Sequence, residues 1–172
     1  MKPQKINIPF PIKPLHAFVL AGCLFNVSSR AESSFQERAF KILSSLSGTW
    51  VEVNDLTSEA IIKMDSGDTI ITESFSGMLN IIHMDLGKLI LTHYCMAGNQ
   101  PKFELKEVKE LEAGTYLDFA LVSVGNLLPN QGHISDVDYL LQKDGSVKEF
   151  WAWKQPSGMV QNMEFQLQRK AN

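Results

Sequence analysis

The sequence has little cysteine and lacks the short motifs that usually accompany a metal or catalytic centre. Its 172 residues include two cysteines, Cys23 and Cys95. There is no Cys-X-X-Cys and no His-X-X-X-His pair, the spacings typical of zinc sites. There is also no Gly-X-Ser-X-Gly nucleophile elbow and no phosphate-binding glycine loop. Motif spacing therefore supports neither a zinc domain nor a serine hydrolase nor a P-loop protein.

Low-complexity tracts, fixed-period repeats and linker-like runs are also missing. The composition, with 44% hydrophobic and 20% charged residues, is that of a globular protein. A chain of this length has room for one domain with a sizeable core, and a second domain is not expected.

The first 31 residues have the layout of a bacterial export signal. Three lysines precede an apolar run over residues 15–27, and no acidic residue occurs before Glu32. The apolar run is too short for a permanent transmembrane helix. We therefore predict that residues 1–31 are removed on export, and that residues 32–172 form the mature domain in the periplasm or cell envelope.

Two processing sites compete at the end of this segment. Ser29-Arg30-Ala31 offers small residues at the positions that an ordinary signal peptidase reads, and cleavage after Ala31 is favoured. Leu20-Ala21-Gly22-Cys23 resembles a lipobox, which would make residues 1–22 the signal and place a lipid anchor on Cys23. A buried helix over residues 15–27 is the weaker alternative, because prolines crowd its entrance.

Export changes the charge balance of the chain. The full sequence has 16 basic and 19 acidic residues, a net charge of −3. The first 31 residues hold four of the basic residues and none of the acidic ones, so the mature chain has 12 and 19, or about −7. Nucleic acid is a poor partner, since binding it needs basic clusters that displace counterions. Cleavage after Ala31 also leaves Cys95 as the single thiol, without a disulfide partner.

The mature chain begins with a helix signal and continues with strand signals. Ser34 followed by Glu37 makes a capping box for a helix from about Phe35 to Leu46, predicted to cover one end of a barrel. From Gly48 onward, alternating apolar residues are interrupted by turn signals about every 8 to 12 residues. This pattern predicts strands at 49–54, 59–64, 68–75, 78–86, 88–95, 101–109, 115–123, 133–142, 146–153 and 159–169.

The short connections between these strands join sequence neighbours into spatial neighbours. We therefore predict an all-β fold, an antiparallel up-and-down barrel of about 8–10 strands with a short N-terminal capping helix. If the first and last strands pair, Arg169 stacks on the Trp50 indole, a cation–π contact worth about 0.5–2 kcal/mol. A Gly48-Thr49-Trp50 opening and a terminal Arg169 resemble the shared signature of the lipocalin and calycin superfamily of ligand-binding barrels.

The least generic stretch runs from Leu89 to Pro101, an apolar strand that ends in polar and aromatic residues. Successive side chains of a strand point to opposite faces, so His93 and Cys95 share one face and Tyr94 lies on the other. A one-residue slip of register would invert this assignment, so the sequence leaves open which face points inward.

Motifs spread along the chain carry a further resemblance. They are Thr92-His93-Tyr94-Cys95, Gly98-Asn99-Gln100-Pro101, Phe119, Asn126, Gly132-His133, Trp151 and Phe165-Gln166-Leu167-Gln168-Arg169. Together they are similar to a family of exported bacterial proteins with a lipocalin-like fold and no assigned function. The resemblance covers the chain from about Leu46 to Arg169 and departs from the family at Ile134, where Met is usual. It implies the barrel and export, and it carries no activity, catalytic residue or ligand.

A barrel of about ten strands has an interior wider than its side chains fill, so a cavity is expected. We predict that a small, largely apolar molecule binds there among Met78, Phe119, Trp151 and Trp153, with no cofactor and no catalytic residue assigned. The polar and aromatic candidates for the lining are Glu73, His83, His93, Tyr94, Cys95, Asn99, Gln100, Asn126, His133, Glu149, Trp151 and Trp153. The alternative is that the polar members satisfy one another and the loop backbone.

Two more specific functions remain as alternatives to a binding protein. His93, Cys95 and His133 could supply three zinc ligands, or a histidine could bind haem. Cys95 with His93 or His133, and with Glu73 or Glu149, could form a thiol hydrolase or transferase. A lone cysteine in a strand is more often a small buried hydrophobe, so the binding protein is the preferred prediction. An envelope scaffold that acts through its outer surface is a third class.

Overall fold

A computed structural model describes residues 34–171 of the chain. The predicted export signal, its two processing sites and the candidate lipid anchor at Cys23 lie outside the described residues. No helix within residues 34–171 is long and apolar enough to cross a bilayer.

The predicted helix is confirmed as α1 (Phe35–Ser44), with the capping box that the sequence indicates. The Ser34 hydroxyl accepts from the Glu37 amide at 3.2 Å, and the Glu37 carboxylate accepts from the Ser34 amide at 2.9 Å. The two bonds satisfy amides that have no partner inside the helix. The helix ends at Ser44 rather than near Leu46, because the chain must turn there to enter the first strand.

All ten predicted strands form, with bounds within two residues of those expected. They are β1 (Gly48–Glu52), β2 (Glu59–Asp65), β3 (Ile70–Phe75), β4 (Met78–Asp85), β5 (Lys88–Tyr94), β6 (Gln100–Glu110), β7 (Gly114–Gly125), β8 (His133–Gln142), β9 (Val147–Lys154) and β10 (Val160–Arg169). Each strand pairs antiparallel with its neighbours in sequence, and β1 pairs with β10. The up-and-down barrel is therefore confirmed, with ten strands and full closure.

Closure takes place where the helix leads into β1. Trp50 lies opposite Arg169 in the register, and the guanidinium carbon of Arg169 lies 4.6 Å from the centroid of the indole. Arg169 also donates to the Ser47 carbonyl at 2.9 Å, and the indole N–H of Trp50 donates to the Leu46 carbonyl at 2.8 Å. One stacked pair thus joins the two outermost strands and satisfies carbonyls that follow the helix.

The barrel half nearest the helix is closely packed, with a residual space of only about 10 Å³ beneath Leu43 and Leu46. Gln36 on the helix ties two strands together, because its amide donates to the Leu105 carbonyl at 3.0 Å and accepts from the Leu89 amide at 2.7 Å. The core side chains that do not line the cavity described below include Leu43, Leu46, Ile62, Ile71, Ile82, Leu91, Phe103, Leu117, Phe119, Val137, Val147 and Leu167. Any internal space for a ligand therefore lies toward the opposite end.

Candidate functional site

A cavity of about 310 Å³ occupies the half of the barrel away from the helix. Strand β5 shows the direction: Leu89 at its start contacts the helix through Gln36, whereas Cys95, just past its end, lines the cavity. The lining residues are Glu73, Phe75, Met78, Asn80, His93, Cys95, Met96, Ala97, Ile134, Glu149, Trp151, Trp153, Gln161, Met163 and Phe165. This volume is within the range of small-molecule sites in proteins.

The wall of the cavity is aromatic and sulfur-rich. Phe75 on β3 and Phe165 on β10 pack edge to face, with ring centroids 5.1 Å apart. Trp151 and Trp153 share the inward face of β9, and methionines from β4 and β10 complete the wall. Large rings offer a ligand much apolar contact area, and methionine adapts its shape to what it contacts.

The floor of the cavity is a chain of polar groups on three adjacent strands. Cross-strand pairing places Glu73 opposite Asn80, and Asn80 opposite His93. The Asn80 amide N–H donates to Glu73 Oε2 at 2.8 Å, and Asn80 Oδ1 lies 2.7 Å from His93 Nδ1. Each of the three side chains is at least 96% buried, so the chain of bonds is shielded from solvent.

The hydrogen bonds of Asn80 determine the tautomer of His93. Because the Asn80 amide nitrogen faces the Glu73 carboxylate, its oxygen faces the imidazole, and His93 Nδ1 must carry the proton. His93 Nε2 is then unprotonated and can accept a hydrogen bond, but it has no hydrogen-bond partner within residues 34–171. Burial lowers the pKa of His93 to about 4, so the ring is neutral at neutral pH.

Glu149 on β9 adds a second buried carboxyl group to the floor. Its Oε2 accepts from the Trp151 indole N–H at 2.9 Å, and Glu73 Oε2 accepts from the Tyr139 hydroxyl at 2.8 Å. Burial, and next the charge of Glu73, raise the pKa of Glu149 well above its usual range. Two buried carboxyl groups thus lie at the floor of the cavity, and no lysine or arginine of the described residues lines it.

Burial raises the pKa of the Tyr139 hydroxyl as well, and the two carboxyl groups beside it add to this effect. Tyr139 thus remains a hydrogen-bond donor to Glu73 across the whole physiological range of pH. Its ring packs edge on against Phe119, at a centroid distance of 6.1 Å, and so joins the polar floor to the packed half of the barrel.

The structure brings seven of the residues singled out in the sequence to the cavity. They are Glu73, Met78, His93, Cys95, Glu149, Trp151 and Trp153. The inward face of β5 is thus the one that carries His93 and Cys95, whereas Tyr94 points outward and is 43% exposed. Leu89 and Leu91 are buried in the core, and every second side chain of a strand points to the same face, so His93 and Cys95 point inward as well.

The other candidate residues do not line the cavity. Asn99, Gln100 and Asn126 hold the loops at the open end, donating to the carbonyls of Gly132 and Gly98 at 2.7–3.0 Å. His133 lies beside Lys154 in a separate surface depression. The remaining two are Phe119, which is packed in the core of the filled half, and His83, which lies opposite Ile90 outside the cavity lining.

Sequence reasoning missed the residues that complete the floor and wall, chiefly Asn80, Tyr139, Met163 and Phe165. A signal for Asn80 exists: it lies three residues after the Ser76-Gly77 turn, and Glu73 lies three residues before that turn. A two-residue hairpin turn makes such positions cross-strand partners on the same face.

The geometry gives little support to the metal and thiol alternatives. Among residues 34–171, no group of three or more His, Cys, Asp or Glu side chains could hold a metal ion, and His133 lies apart from His93 and Cys95. The Cys95 thiol accepts from the Ala97 amide at 3.5 Å. His93 binds Asn80 through Nδ1 and has no partner at Nε2, so the imidazole does not activate the thiol.

Comparison with known proteins identifies no relative. No family model matches the chain, and neither the curated proteins nor the solved structures include a significant match. The resemblance to an exported, lipocalin-like family therefore stays a prediction from the motifs themselves.

Proposed function

We propose that this chain is a binding protein that takes a small, largely apolar molecule into the open half of the barrel. The observation that carries the proposal is the cavity of about 310 Å³, whose aromatic wall stands over a buried polar floor. Pockets that bind small molecules have this composition, with much apolar surface and a few polar groups that orient the ligand. The function requires no cofactor and no catalytic group.

Export belongs to the same proposal. The basic, then apolar, first 31 residues support removal of a signal and action in the periplasm or cell envelope, with a lipid anchor at Cys23 as the alternative. Native mass spectrometry of protein purified from the envelope tests what the cavity carries. A bound organic mass supports the proposal, whereas bound zinc or haem would replace it with a metal function.

The binding test uses N-phenyl-1-naphthylamine, an uncharged apolar dye that fluoresces on leaving water. We expect the dye to bind with one-to-one stoichiometry, and Met163→Trp to weaken its binding by about tenfold or more, because the indole fills the cavity beside Phe165. Asn162→Trp is the matched control, since Asn162 is exposed and alternates with the cavity-lining Gln161 and Met163 on β10.

Equal loss of dye binding in both variants, or no binding to the wild-type protein, would contradict the proposal. Circular dichroism of both variants verifies that the barrel is intact, so that lost binding reports on the cavity and not on unfolding.

A further inference from the structure

The polar groups without partners at the floor of the cavity are all hydrogen-bond acceptors. They are His93 Nε2, Glu73 Oε1 and Glu149 Oε1, none of which has a hydrogen-bond partner in the described part of the chain. Their side chains are 1%, 2% and 1% exposed, and all three line the cavity. Buried acceptors without donors are costly, so a bound molecule that donates hydrogen bonds would relieve this cost.

The cavity also holds two acidic groups without a basic partner. The carboxyl groups of Glu73 and Glu149 are both buried at its floor. Among the described residues, no lysine or arginine lines the cavity. Buried charges in proteins are normally paired, so this pair lacks the cation that would neutralise it.

The rings of the wall favour a cation at the same place. The Trp151 indole donates to Glu149, and its ring lies 5.0 Å from the imidazole of His93 between centroids. Trp153, Phe75 and Phe165 also line the cavity. The faces of aromatic rings attract cations, most strongly where water is excluded.

We propose that the polar head of the ligand is an organic ammonium group, recognised by the Glu73–Glu149 pair, by His93 Nε2 and by the indole of Trp151. The inference rests on the binding function proposed above and names its substrate class: apolar amines. The ammonium group donates hydrogen bonds to the unpartnered acceptors and neutralises the carboxyl pair. A carboxylate head group, as in a fatty acid, meets the same acceptors with a like charge and is excluded.

The test compares three probes that share one apolar chain: n-octylamine, n-octanol and n-octanoate. At pH 7 their heads are respectively cationic, neutral and anionic. Displacement of N-phenyl-1-naphthylamine gives their affinities for the full mature protein. We expect octylamine to bind about tenfold more tightly than octanol, and octanoate to bind about tenfold more weakly than octanol.

The matched variants are Glu73→Gln with Glu149→Gln, which keep the shape of the pair and remove its charge. We expect this double variant to bind octylamine no more tightly than octanol, because the charge that distinguishes the two probes is gone, and circular dichroism verifies that its barrel is intact. The control, Glu104→Gln with Glu164→Gln, removes two carboxylates that pair with surface lysines, and the ranking of the probes should persist.

Octanol or octanoate binding as tightly as octylamine, or an unchanged preference in the double variant, would overturn the ammonium head group and leave the binding function standing. The same holds if the dye binds and none of the three probes displaces it. Failure of the dye itself to bind would remove the binding function.

Discussion

His93 is the residue whose environment differs most from that expected of an ordinary histidine. It is 1% exposed, and it donates through Nδ1 to an amide that is itself held by the Glu73 carboxylate. This arrangement keeps the ring neutral and in one orientation, as a ligand acceptor requires. Protonation would put a charge on a ring that burial has removed from water, which explains why its pKa is lowered.

The first prediction concerns the stability that the protein loses in acid because of His93. Its pKa is about 4 in the folded state and near 6.5 when exposed, so the unfolded chain binds more protons between these values. The contribution of His93 is complete above pH 6.5 and falls as the pH drops toward 4. We expect a loss of about 2–3 kcal/mol between pH 7 and pH 4.5 that His93→Gln does not show, measured by urea unfolding.

The control for this experiment is His83→Gln, which alters a histidine outside the cavity lining. This variant should keep the wild-type dependence on pH. If His93→Gln and the wild-type protein lose the same free energy of unfolding on acidification, His93 is not the group responsible.

The pairing of β1 with β10 closes the barrel, and its stability depends on more than backbone hydrogen bonds. β1 and β10 share three paired positions, a short contact compared with the eight pairs between β9 and β10. The stack of Arg169 on Trp50, together with the bond to the Ser47 carbonyl, reinforces this narrow seam and joins it to the end of the helix. Gly48 permits the approach, because a Cβ at that position would collide with the guanidinium of Arg169.

The second prediction is that Arg169→Met lowers the free energy of unfolding by about 1–2 kcal/mol, through loss of the cation–π contact and the bonds to the carbonyls. The free energy of unfolding of Arg169→Lys should lie between those of the wild-type protein and Arg169→Met, since an ammonium keeps the charge but not the planar stack. Denaturant unfolding followed by circular dichroism gives these values.

Lys170→Met removes the same charge at the adjacent position, where the lysine pairs with Glu59 at the surface. A surface pair contributes about 0–1 kcal/mol, so this variant should be nearly as stable as wild type. Equal destabilisation by Arg169→Met and Lys170→Met would attribute the effect to net charge and not to the stack.

At the level of the whole molecule, the barrel is divided into a filled half and an open half. The helix and its neighbouring apolar side chains stabilise the fold, whereas the cavity at the other end places unpartnered acceptors in the interior. The division separates stability from binding, so substitutions in the cavity wall can alter binding while the packed half keeps the barrel folded.

The third prediction uses Cys95 as a reporter of cavity occupation. Its thiol lines the cavity, so a ligand that fills the space should shield it. We expect saturating N-phenyl-1-naphthylamine to slow alkylation of Cys95 by iodoacetamide by about tenfold, read from the Cys95 peptide by mass spectrometry. A cysteine introduced as Asn162→Cys, on the other face of β10, should react at the same rate with and without the dye; protection of both thiols would indicate a global effect.

The element pattern was predictable from the chain because its signals are local. Alternation of apolar residues, glycine-containing turns and the capping box each act over a few residues, so ten strands and one helix follow from them. Closure was predictable because Trp50 and Arg169 mark the first and last strands of a meander.

The composition of the site depends instead on contacts between distant parts of the chain. Glu73 meets Tyr139 across 66 residues, and the Glu149 side chain joins them only because the barrel closes with a particular stagger. Local patterns place His93 and Cys95 on one strand face, yet they carry no information about which side chains lie opposite across the barrel. The volume left empty is likewise a sum over all inward side chains, which only the three-dimensional packing decides.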